Sequence, residues 1–171
     1  MYQFDELGRA TTPAVLAMVA EALPDRRFIV ADDGDLTYGE LASLCLDLAA
    51  GFAALGLQPG DRIGILLPNG LRWCATFFGA HVAGLTVVPL NTWYRRDELT
   101  SAVRRAGLRT IVTQTEIFGF ESASAASGID VAGYIGPLLW PAGAARPVKL
   151  APSPAPRDAV AALRTSAAAE A

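Results

Sequence analysis

Apolar positions along this chain follow two rhythms, one of three to four residues and one of continuous short runs. Val15, Leu16, Val19 and Leu23 recur at helical spacing behind Thr12, a side chain suited to an N-cap, and Pro13, suited to a first helical position. The pattern predicts a helix that Pro24 ends. Phe28-Ile29-Val30 predicts a short strand running into Asp32-Asp33-Gly34-Asp35, read as a turn. The clustered oxygens there raise calcium as an alternative, but no ordered ligand series or closing bidentate Glu follows. Thr37-Tyr38-Gly39-Glu40 then spells a capping box, in which the Thr hydroxyl and the Glu carboxylate each reach a backbone N–H. Leu41, Leu44, Leu48, Phe52 and Leu55 follow at intervals of three and four, so one stripe of a second helix faces a core. Gly56 is placed to end that helix in a left-handed conformation, and Gln58-Pro59-Gly60-Asp61 to turn the chain.

The second rhythm starts with Ile63-Gly64-Ile65-Leu66-Leu67, apolar without alternation, as in a strand covered on both faces. Thr86-Val87-Val88-Pro89-Leu90 and Thr110-Ile111-Val112-Thr113 repeat it, with Ile63, Val87 and Ile111 at a constant interval of 24 positions. Helix-like segments at 71–83 and 97–106 fill the gaps, so the unit is strand, crossover helix, strand. The fold class expected is α/β, a short parallel sheet with flanking helices. Beyond residue 121 Ala and Pro dominate. Residues 1–121 are therefore expected to form the domain and 122–171 an irregular, poorly packed Ala/Pro-rich tail, with Tyr134, Ile135, Leu138, Leu139 and Trp140 as its burial candidates.

Composition narrows the function. The 171 residues are 52% hydrophobic and 18% charged, too apolar for a wholly disordered chain. Fourteen basic against seventeen acidic residues leave a net charge of −3, which argues against a nucleic-acid partner. One His and two Cys are too few for a zinc cluster. The start of the chain carries Asp5 and Glu6 where a secretory signal needs base, and no apolar run reaches the ~20 residues of a membrane span. Cys45 and Cys74, far apart and outside any CxxC, read as reduced core thiols, and a cytoplasmic location is expected.

Motifs that carry chemistry are mostly missing. The sequence holds no GxSxG, HExxH, GxGxxG or GxxxxGK[ST] run. Gly143-Ala144-Ala145-Arg146-Pro147-Val148-Lys149 approximates a phosphate loop, but Pro147 removes a donor and no hydroxyl follows Lys149. His81 sits behind Trp73, Cys74, Phe77 and Phe78 with no acid or nucleophile near it, so a packed histidine is favoured over a general base. Arg95, Arg96, Arg104, Arg105 and Arg109, set against Asp97 and Glu98, leave a local positive excess. A solvated helix face is the plainer reading, a contact with a phosphate-bearing ligand the alternative.

Taken in order, Leu36-Thr37-Tyr38-Gly39-Glu40-Leu41, Leu55-Gly56-Leu57-Gln58-Pro59-Gly60-Asp61-Arg62-Ile63, Leu67-Pro68-Asn69 and 84–92 with Glu98-Leu99 form a recognisable series. It resembles the beginning of the adenylate-forming, AMP-dependent synthetase/ligase superfamily that includes the acyl-CoA synthetases. The resemblance covers residues 7–120 and only the opening part of a family member. It implies activation of a carboxylate with ATP and Mg²⁺ to an acyl-adenylate, followed by transfer to CoA. The family's phosphate loop ending in Pro-Lys-Gly, its aromatic-Gly-Thr-Glu segment, its Tyr-x-Thr-Gly-Asp ribose contact and its C-terminal catalytic Lys have no counterpart in this sequence. No catalytic, cofactor-binding or metal-binding residue is therefore carried over. The expectation is a truncated ligase that binds no ATP, Mg²⁺ or CoA alone. The alternative is a binding or assembly module that associates with itself or with a complementing ligase chain.

Overall fold

The structure, a computed structural model, describes residues 10–114 and 117, and residues 137–139 for their backbone. Helix α1 (Thr12–Ala22) is capped by Thr11, one residue earlier than the sequence pattern places the cap, with the hydroxyl 3.4 Å from the Ala14 amide. Its buried face also differs. Leu16, Ala17 and Ala20 are buried in the core that this helix shares with the next two, while Leu23 at its C-terminal cap stands 44% exposed. Strand β1 (Arg27–Ala31) pairs antiparallel with β2 (Gly34–Thr37), Ala31 opposite Gly34, so the turn is Asp32-Asp33 alone. Gly34 and Asp35, read from sequence as turn, belong to the second strand of this hairpin.

Helix α2 (Tyr38–Ala54) opens on the expected capping box. Glu40 N–H donates to Thr37 Oγ1 at 3.2 Å and Thr37 N–H to Glu40 Oε2 at 2.9 Å. Leu41, Leu44, Leu48 and Phe52 form the buried stripe, joined by Cys45, whereas Leu55 lies past the helix end, 38% exposed. Gly56 follows at φ 78°. The 58–61 turn is closed from both sides, Asp61 N–H to Gln58 O at 3.0 Å and Gln58 N–H to Asp61 Oδ2 at 2.9 Å.

The main sheet contains β3 (Arg62–Leu66), β4 (Thr86–Pro89), β5 (Thr110–Thr113) and β6 (Pro137–Leu139), all parallel, in the order β4-β3-β5-β6. Helix α3 (Leu71–Val82) connects β3 to β4, and α4 (Arg96–Ala106) connects β4 to β5. The 24-residue interval survives as register between β3 and β4, where Ile63 faces Val87. It shifts by one on the other side, where Ile111 faces Gly64. Since β3 is central, the two crossovers run in opposite directions, and right-handed connections then place α3 and α4 on opposite faces.

Two cores confirm that layering. On one face Ile63, Ile65 and Val112 pack with α1, α2 and α3 through Leu16, Leu41, Leu48 and Phe52. On the other Leu66, Leu90, Leu108 and Ile111 pack with Leu99 and Val103 of α4. Alternate residues of one strand thus serve both cores, which is why the run reads apolar without alternation. Gly64 faces the second core, where a Cβ would come within 2.6 Å of Leu90 Cδ1 and 2.8 Å of Leu108 Cδ1. Leu138 and Leu139, singled out in the Ala/Pro-rich stretch, lie in β6. The rest of 122–171, including Tyr134, Ile135, Trp140 and the Gly143–149 run, lies outside the described residues.

Candidate functional site at the carboxyl ends of the strands

In an open parallel sheet, connections that leave a central strand in opposite directions leave a crevice at the carboxyl ends. Here that position lies beyond β3 and β5. A crevice of about 570 Å³ is lined there by Asp32, Asp33, Pro68, Asn69, Arg72 and Gln114, with Ala31. Its wall is fixed by a long-range cap. The N-terminus of α3 begins at Gly70, which has no side chain to offer, and Asp33 of the hairpin turn takes that role. Asp33 Oδ1 accepts from Leu71 N–H at 2.8 Å and Oδ2 from Arg72 N–H at 3.1 Å. A Cβ at Gly70 would lie 2.6 Å from Asp33 Oδ1, so glycine is what admits the carboxylate. The helix end that would otherwise attract an anion already holds an internal one.

Arg72 reaches across the crevice, its Nη1 donating to Gln114 Oε1 at 3.2 Å and joining α3 to the end of β5. Its Nε is buried without a hydrogen-bond partner. Two residues further, burial first and the Asp33 charge second push the Cys74 thiol above its ordinary range. A second cleft of about 360 Å³ shares Pro68 and Asn69 and opens toward β4. Trp73, Pro89, Leu90 and Trp93 give it an apolar wall. Trp73 stacks on Phe77 with ring centroids 5.4 Å apart, whereas Trp93 is 71% exposed on the loop after β4.

Of the residues weighed for chemistry only Asp32 and Asp33 line a cleft, whereas the family-like segments do gather there: Pro68 and Asn69 line both, and Leu67, Pro89, Leu90, Asn91 and Thr92 the second. His81 closes the last turn of α3, with Nδ1 2.7 Å from Phe77 O and its ring against that of Phe77, a packed histidine as expected. Asp35 turns away to Arg27 at 3.6 Å, so the acidic turn is no cation cage, and no metal-holding group of side chains occurs among the described residues. Arg104 and Arg105 are exposed in the last turn of α4, where cations suit the helix dipole, and Arg109 meets Asp61 at 3.6 Å. Sequence reasoning missed Asp33 as a cap, Arg72 and Trp93. Local capping rules look a few residues ahead, and Asp33 acts on a helix 38 positions away. Among the described residues lining the clefts, no nucleophile is paired with a base.

The fold is thus that of an α/β module with a parallel sheet and helices on both faces. The chain belongs to the family of AMP-binding enzymes, whose model matches residues 16–162. It is 37% identical over 120 residues to a methyl-dioxo-octahydroindenyl-propanoyl:CoA ligase of Mycobacterium tuberculosis, covering 70% of this chain and 23% of the relative. It is 32% identical over 112 residues to a long-chain-fatty-acid–CoA ligase of Bacillus subtilis, covering 66% of this chain and 20% of that protein. A crystal structure of a benzoate CoA ligase from Burkholderia xenovorans shares the fold at TM-score 0.64 and 21% identity, over 88% of this chain and 28% of that one. The chain therefore spans less than a quarter of the curated ligases named above. No described helix is long and apolar enough to cross a membrane.

Proposed function

We propose that this chain is the N-terminal scaffold of an adenylate-forming acyl-CoA ligase and that by itself it activates no carboxylate. The observation that carries the reading is the overlap: the match to the family model spans residues 16–162, yet the chain covers only 23% of the Mycobacterium tuberculosis ligase. The sequence agrees with it, since the 171 residues contain no Pro-Lys-Gly phosphate loop. Adenylation concentrates negative charge on the α-phosphoryl group and the departing pyrophosphate, and oriented donors with Mg²⁺ must stabilise it. A single such donor is worth about 10²–10³ in rate, so losing the whole set leaves no measurable turnover.

In this reading a ligase polypeptide that supplies those groups is the partner, and ATP, Mg²⁺ and CoA bind only to the completed enzyme. The relatives act on acids as different as an indane-dione propanoate and a long-chain fatty acid, so the substrate class is a carboxylic acid without further restriction. Self-association through the β4 edge is disfavoured. Thr86 and Leu90 donate to β3 and the turn before it, so by alternation Val87 and Pro89 face outward, and Pro89 has no N–H to offer. The test is carboxylate-dependent ATP–pyrophosphate exchange by the purified chain. No exchange above a no-acid control is expected; exchange that depends on an added acid overturns the proposal.

A further inference from the structure

We infer that the aromatic cleft at the carboxyl ends of β3 and β4 is the docking surface for the remaining ligase polypeptide, with Trp93 as its anchor; the inference rests on the ligase-scaffold reading above. Trp93 is the most exposed large hydrophobic side chain among the described residues, at 71%. It stands beside a concave apolar wall of Pro68, Trp73, Pro89 and Leu90, whose volume of about 360 Å³ is enough for one or two inserted side chains. Its position is built rather than loose. Trp93 N–H donates to Asn91 Oδ1 at 3.0 Å and Tyr94 N–H to Asn91 O at 3.0 Å, so a tight turn presents the indole.

The occupant follows from three observations. The relatives that share this segment continue for more than three quarters of their length outside it, so in them this module is joined to much more protein. Among the described residues the cleft lining has no charged side chain, only Asn69, Asn91 and Thr92 around the apolar wall, which is the composition of an interface centre with a polar rim. A large aromatic residue beside a concave apolar wall is also the arrangement on which binding energy concentrates. A second copy of this chain pairing by sheet extension is opposed by Pro89, which belongs to the same wall.

The experiment compares this chain alone with a chimera in which it replaces the matching segment of the Mycobacterium tuberculosis ligase. Trp93→Cys and, as a control, Val30→Cys are introduced on a Cys74→Ser background, and alkylation by iodoacetamide is timed. Val30 is 64% exposed on the hairpin, away from the cleft, and Cys45 is fully buried. Trp93→Cys is expected to react readily in the chain alone and about tenfold or more slowly in the chimera, with Val30→Cys equal in both. Equal rates for Trp93→Cys in the two proteins overturn the docking surface. Protection in the chain alone that vanishes on dilution also overturns it, in favour of a second copy. Carboxylate-dependent exchange by the unsubstituted chimera is read separately: an inactive chimera with Trp93→Cys protected counts against the ligase reading while leaving the surface standing.

Discussion

Asp33 shows how one carboxylate ties together parts of the chain that local rules treat as unrelated. It bridges a hairpin turn and the first two amides of α3, and its charge reaches Cys74. The consequence is testable with thiol reagents. Cys45 is fully buried and its thiol is pushed far above the ordinary range; Cys74 is raised less, by burial first and by Asp33 second. In both cases the folded state favours the protonated thiol. Their contribution to stability is therefore complete below the ordinary thiol range and falls as pH rises above about 8.5. With Ellman's reagent at mildly alkaline pH, native protein is expected to leave Cys45 untouched and to react at Cys74 more slowly than a free thiol. Asp33→Asn is expected to speed Cys74, with Asp32→Asn as the control that does not. An unchanged Cys74 rate in Asp33→Asn would show that burial alone sets it.

At the scale of elements, close approach replaces side-chain bulk at two glycines. A Cβ on Gly79 of α3 would lie 2.7 Å from Leu48 Cβ of α2, and one on Gly64 would meet the methyl ends of Leu90 and Leu108. Leu48 Cβ is bonded directly to the helix backbone and cannot swing aside, whereas leucine methyls can. Gly79→Ala is therefore expected to cost about 1–3 kcal/mol in urea unfolding. That is net of the helix-propensity gain of about 1 kcal/mol. Gly64→Ala should cost less than Gly79→Ala; the reverse order would mean that α2 and α3 separate more easily than the sheet core repacks. Much of this level was legible in the amino acids. The capping box needs only Thr37 and Glu40 three residues apart, and buried strands need only an unbroken apolar run. The α1 face was misread because Ala17 and Ala20 carry little hydrophobic signal, yet they are the residues thin enough to lie against two helices. Gly34 and Asp35 were misread because a turn signal cannot tell a two-residue loop from the strand that follows it.

For the whole molecule, the sheet has one edge that proline closes. Replacing Pro89 with valine restores an outward N–H beside Val87 and lengthens the pairable edge. Pro89→Val is expected to show concentration-dependent self-association by light scattering that the unsubstituted chain lacks. Identical masses for the two across the concentration range would remove the edge argument. The site was the least legible feature of the molecule. A crevice at a change of strand order exists only once β5 has been laid on the far side of β3, and nothing in the spacing of Ile63, Val87 and Ile111 says which side each neighbour takes. Arg72 and Gln114 meet across 42 positions and Asp33 and Leu71 across 38. Only the assembled fold brings such pairs together.

The central place of β3 also bears on how the sheet forms during synthesis. The strand made first among the four is one of the two inner ones, so β4, β5 and β6 each reach a neighbour that has already left the ribosome. Growth is outward from a seed, and no later strand has to wedge between two earlier ones. The order of translation leaves an open edge for each strand as it arrives.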